Sequence, residues 1–114
     1  MTARFDYSTA APAYVWLNGS LMSWAEATVP VTAMGASGSL VVFEGIKAYW
    51  NADQGQLHVF RLDAHLKRLY DSMKIVRMAP PYTPADLAEA ALMVLRANDI
   101  RHDTRVLKTA LALA

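Results

Sequence analysis

At 114 residues the chain has room for one domain with a real core and not for two ordinary ones. Eleven basic against ten acidic residues leave a formal net charge of +1 with no cationic run, which argues against a nucleic-acid stripe. There is no cysteine, which excludes disulfide and thiolate–metal frameworks, and His58, His65 and His102 show no metal-ligand spacing.

Residues 1–13 carry Ser, Thr, Pro and Ala without periodicity and read as a loose arm. They lack the apolar stretch of a signal peptide, and no later run reaches the roughly 18 apolar residues of a membrane span. The expectation is a soluble, cytoplasmic protein without a membrane partner. Tyr14 to Leu17 is a short strand, Asn18-Gly19 a strong two-residue hairpin turn, and Ser20 to Ser23 the returning strand. Trp24 to Val29 fits a turn or short helix. Residues 30–39 form a Gly-, Ala- and Ser-rich loop, and Leu40 to Val42 lead into the next strand.

Phe43 to Trp50 mixes aromatic and β-branched residues and reads as a strand. A polar loop, Asn51 to Gln56, turns it back into an apolar strand over Leu57 to Phe60. Asp63 is the expected N-cap of a helix whose Leu66, Leu69, Tyr70 and Met73 recur at one-face spacing. Arg61, His65 and Arg68 place cationic or titratable groups around that junction. Pro80-Pro81 breaks the helix. Thr83-Pro84-Ala85-Asp86 then opens another, with Leu87, Ala91, Val94 and Leu95 as its stripe and Asn98 or Asp99 as its end. Thr104 to Leu113 reads as a final strand. The order predicts an α+β two-layer domain of antiparallel strands packed against two helices. The run Thr109 to Ala114 has no cap or polar tail, and 54% of the sequence is hydrophobic. Both features read as a truncated small domain over residues 14–114.

Phe43-Glu44-Gly45-Ile46-Lys47-Ala48-Tyr49, Phe60-Arg61-Leu62-Asp63 and His65-Leu66-Lys67-Arg68-Leu69 carry a resemblance. With Trp16-Leu17-Asn18-Gly19, they resemble the N-terminal small domain of class IV (fold type IV) aminotransferases, the branched-chain amino acid enzymes above all. The resemblance runs from about Val15 to Ile100. It implies pyridoxal 5′-phosphate (PLP) as cofactor, an amino acid and a 2-oxo acid as substrates, and a homodimer. It also implies that Arg68 binds the cofactor phosphate, as the planar donor fork of a guanidinium suits. Phe43 falls at a substrate-pocket aromatic, Lys47 where branched-chain enzymes have arginine, and Gly38 where the family has a pocket tyrosine. Glu44 falls at a carboxylate that supports local structure, and without a visible partner it gives no sign of acid–base work. His65 is expected to be structural.

Ser37, Gly38 and Ser39 replace the family's His-Tyr-Gly, so the expected aromatic wall is missing. Arg105 lies one residue from the position of a second family arginine, which on a strand is the opposite face, so that role is not carried over. In the family the lysine that bonds PLP lies in a larger second domain, and Lys47, Lys67, Lys74 and Lys108 match none of its positions. No catalytic residue is therefore expected in this chain, which alone should not transaminate. The alternatives are a D-amino acid or amine transaminase or an aminodeoxychorismate lyase of the same fold, or a non-catalytic interaction module.

Overall fold

A computed structural model describes residues 11–33 and 41–106, without the side chains of residues 105 and 106. The elements follow as β1 (Tyr14–Leu17), β2 (Ser20–Ser23), a 3-10 turn (Trp24–Glu26), β3 (Ile46–Asn51), β4 (Gln56–Val59), α1 (Leu62–Ile75), α2 (Pro84–Ala97) and β5 (Thr104–Val106). The predicted α+β architecture is present, with its strands divided between two small sheets. One pairs β1 with β2; the other has the order β4-β3-β5, and every pairing is antiparallel.

The first hairpin forms as its turn residues dictate. Asn18 and Gly19 both take positive φ, at 49° and 96°, the handedness that lets two residues connect twisted strands. Val15, Trp16 and Leu17 are all buried, because α2 packs against β1. The strand is anchored from the far end of the chain. The Asn98 side chain accepts from the Tyr14 N–H at 3.0 Å and donates to the Tyr14 carbonyl at 2.9 Å.

The second sheet departs in detail from the sequence reading. Its central strand begins at Ile46 rather than Phe43, because the carboxylate of Glu44 is drawn to α1 and the segment before Ile46 leaves the ladder. Ile46 and Ala48 turn inward and are buried, while Lys47 and Tyr49 face outward. Asp103 extends the sheet's bonding by accepting from the Trp50 N–H at 2.8 Å.

The helix starts are the clearest contrast. Asp63 is not the N-cap of α1; Arg61 is, in the left-handed conformation with φ 48° and no side-chain capping bond. Leu62 is drawn into the helix as its first residue, because it packs against both core clusters. Asp63 lies in the first turn, where its charge favours the helix dipole. α2 opens as read: Thr83 Oγ1 accepts from the Asp86 N–H at 3.2 Å, and the Asp86 carboxylate accepts from the Thr83 N–H at 2.8 Å. That backbone donor holds the Asp86 carboxyl below its usual range.

Both helices end alike. Arg77 and Asp99 take φ of 57° and 49°. Met78 and Ile100 then donate back to the carbonyls of Met73 and Leu95. The core lies between the layers. Trp16, Leu66, Leu69, Met73, Leu87 and Ala90 form one buried cluster, and Ile46, Ala48, Ala91 and Leu95 the other. α2 supplies residues to both and so joins the two sheets. No helix among the described residues is long and apolar enough to cross a membrane. The predicted loop at 30–39 and strand at 104–113 lie partly outside the described residues.

Candidate functional site

The site is built where the segment before β3 meets the first turns of α1. Leu66 and Leu69 are buried on the inner face of α1, so Arg68 projects from its edge. Its side chain is 67% exposed, yet its position is set by a partner, Glu44, 24 residues earlier, whose side chain is only 8% exposed. Arg68 donates through Nε to Glu44 Oε1 and through Nη2 to Oε2, both at 2.6 Å. This is a side-on bidentate pair, the strongest geometry a guanidinium and a carboxylate adopt.

His65, one turn before Arg68, completes the group. Its Nδ1 lies 2.8 Å from Glu44 Oε2, and the ring is 18% exposed. An ionised carboxylate only accepts, so Nδ1 carries the proton. The 3.4 Å between Nδ1 and Arg68 Nη2 is then a packing distance between two donors. The Arg68 hydrogen bonds, followed by that of His65 and the charges of both, outweigh burial and hold the Glu44 carboxyl down at about 2. The same contact raises Arg68 above its already high value. Across the working pH range the group is therefore an ionised pair in which Arg68 keeps Nη1 outside the fork.

The chemistry this permits is anion binding. A guanidinium anchored on one edge offers its remaining N–H groups, at an exposed position, to a phosphate or carboxylate. Glu44 is not placed for proton transfer, because its strongly lowered carboxyl stays ionised and both its oxygens are engaged. The sequence shows Glu44 as a carboxylate without a partner, but in the fold its partners stand 21 and 24 residues away, at separations that no local spacing reveals.

The other predicted residues are placed as follows. Phe43 precedes Glu44 and is 58% exposed, in the segment outside the ladder. Lys47 is exposed on the outer face of β3, where its carbonyl accepts from the Phe60 N–H at 2.8 Å. Among the described residues no hydrogen bond or ion pair ties Lys47 to Arg68 or Glu44. Gly38 lies outside the described residues. Among them no group of three or more side chains has the make-up of a metal site.

An α+β domain with an exposed arginine anchored on its first helix by a carboxylate from the segment before β3 is the class that the fold and the site define. Comparison with known proteins makes this specific: residues 41–112 match the model of the amino-transferase class IV family, and the chain belongs to that family. It is 37% identical over 86 residues to a branched-chain-amino-acid aminotransferase of Pseudomonas aeruginosa, covering 75% of this chain and 27% of that protein. The Escherichia coli enzyme of the same name is 37% identical over 87 residues, covering 76% and 28%. Among solved structures, the PLP form of the Thermobaculum terrenum branched-chain amino acid aminotransferase superposes with a TM-score of 0.75 at 39% identity. It covers 82% of this chain and 31% of that one. The Thermoproteus uzoniensis branched-chain aminotransferase with norvaline gives 0.76 at 40% identity, over 83% and 31%. The chain thus spans a little over a quarter of the length of the curated relatives it matches.

Proposed function

We propose that the chain is the N-terminal small domain of a PLP-dependent aminotransferase that moves an amino group between a branched-chain amino acid and a 2-oxo acid, and that Arg68 binds the cofactor phosphate. The observation that carries the reading is the Arg68–Glu44 pair. It holds a cation at an exposed edge with part of its donor set uncommitted, which fits a phosphate monoester. Membership of the family supports the choice of cofactor, and the names of the relatives support the substrate class. When bound, PLP supplies the electron sink that lets an amino group pass between carbon skeletons. This chain's part is to hold and orient: Arg68 grips the phosphate, while Phe43, Lys47 and Gly38 belong to the substrate wall. The lysine that anchors the cofactor belongs to a second domain, and the working protein is a cytoplasmic homodimer.

The test is an amino-transfer assay on the full-length protein with PLP, in which L-leucine, L-valine or L-isoleucine is offered with 2-oxoglutarate. Glutamate formed from these donors is the expected result. Transfer from D-alanine or a simple amine alone would redirect the substrate assignment within the family. Absence of transfer from every donor would contradict the enzymatic reading.

A further inference from the structure

We propose that Glu44 is a positioning residue for the anion site: it occupies the side edge of the Arg68 guanidinium and so commits the end edge to the phosphate. The proposal rests on the reading of Arg68 as the phosphate ligand and adds which of its donors do the binding.

The geometry assigns the edges. Nε–H and one N–H of Nη2 point along the side of a guanidinium, and both go to Glu44 at 2.6 Å. The second N–H of Nη2 and one N–H of Nη1 form the end edge, which that fork does not use, and the other N–H of Nη1 points back beside Cδ. An arginine on a helix edge otherwise samples many rotamers, and fixing it at the moment of binding costs conformational entropy. Here that ordering is already in place. The carboxylate is nearly buried, both its oxygens are engaged, and His65 holds Oε2 from the other side. The buttress itself is thus fixed from two directions.

Two effects of Glu44 on a bound phosphate oppose each other. Its negative charge repels the anion, and its contacts orient the cation that attracts it. The repulsion acts at a site where the Arg68 side chain is 67% exposed, so water and salt screen it. The orientation acts through direct contacts at 2.6 Å to a carboxylate that is 8% exposed, and is screened much less. Orientation therefore prevails, and loss of Glu44 weakens phosphate binding despite removing a negative charge.

The experiment compares affinities for pyridoxal 5′-phosphate and for pyridoxal, which lacks the phosphate, by equilibrium dialysis against the full-length protein. Wild type, Arg68→Gln, Glu44→Gln and Glu44→Asp are measured, with melting curves to establish folding. The preference for the phosphorylated ligand should collapse in Arg68→Gln. It should fall on the order of tenfold in Glu44→Gln, the size of effect that outer contacts have on the ligands of metal sites. Glu44→Asp, which keeps the charge but shortens the reach, should fall between Glu44→Gln and wild type. Pyridoxal affinity should not change. An unchanged or increased phosphate preference in Glu44→Gln, alongside collapse in Arg68→Gln, would overturn the positioning role and leave the phosphate reading intact. No change in Arg68→Gln would overturn the phosphate reading and this proposal with it. Should Glu44→Gln fail to fold, Glu44→Asp decides: wild-type preference overturns the proposal and reduced preference supports it.

Discussion

A carboxyl group that is 8% exposed and bonded by a guanidinium and an imidazole titrates far below its usual range, and in Glu44 it falls from 4.5 to about 2. The folded-state value is the lower one, so the ionised pair contributes its full stabilisation above the unfolded value of about 4.5. That contribution is lost as pH falls through the interval from about 4.5 to about 2. Urea unfolding at pH 6 and pH 3 should show lower stability at pH 3 in wild type and a smaller loss in Glu44→Gln. Equal losses in the two proteins would mean that the acid sensitivity lies elsewhere. Arg68 was legible in the sequence as a candidate site cation, from its place in the His65–Leu69 segment, and it stands beside a buried leucine in an ion pair with Glu44. That partner was not legible. Glu44 reaches Arg68 across the β3–β4 hairpin, and pairing over 24 residues leaves no periodic trace.

At the scale of elements, the turn and cap chemistry was the most readable part of the chain. Asn18-Gly19 and Thr83-Pro84-Ala85-Asp86 each specify one backbone geometry, and both form as read. Gly19 does more than close a turn. Its φ of 96° is one that side chains rarely adopt, and an added Cβ would lie 3.1 Å from the Tyr82 hydroxyl. Tyr82 is held in turn, with its ring set edge-on to Trp16 at 5.0 Å and its carbonyl accepting from the Tyr70 hydroxyl. Gly19→Ala should therefore destabilise the fold by about 1–2 kcal/mol, measurable as a lower urea midpoint at unchanged slope. The start of α1 shows why other boundaries were missed. A local capping rule favoured Asp63, but Leu62 packs against both core clusters and pulls the helix start forward. Burial, which is non-local, prevailed over a capping preference worth about 1 kcal/mol.

For the molecule as a whole, α2 joins two sheets that, among the described residues, do not bond to each other. Leu87 and Ala90 lie in the cluster around Trp16, whereas Ala91 and Leu95 lie in the cluster under β3. The same helix, through Asn98, ties the first strand to the far end of the chain. Leu87, on α2, is 2% exposed in the cluster with Trp16 of β1 and the leucines of α1, so Leu87→Ala should lower unfolding stability by about 2–5 kcal/mol through lost burial and the cavity it leaves. A loss below about 1 kcal/mol would mean that the clusters do not carry the fold. Hydrophobic periodicity revealed both helices and the layer arrangement, but not the division of the strands into two sheets. Sheet membership depends on which strands meet, and a strand's own pattern records only which of its faces is buried.

The proposed phosphate site joins these scales: the core fixes α1, α1 presents Arg68, and Glu44 pairs with its side edge. The most direct test is a crystal structure of the full-length protein grown with pyridoxal 5′-phosphate. The predicted result is a phosphate oxygen about 3 Å from Arg68 Nη1 with the Glu44 fork intact. A cofactor bound with its phosphate on other groups, and Arg68 left to solvent, would contradict the account.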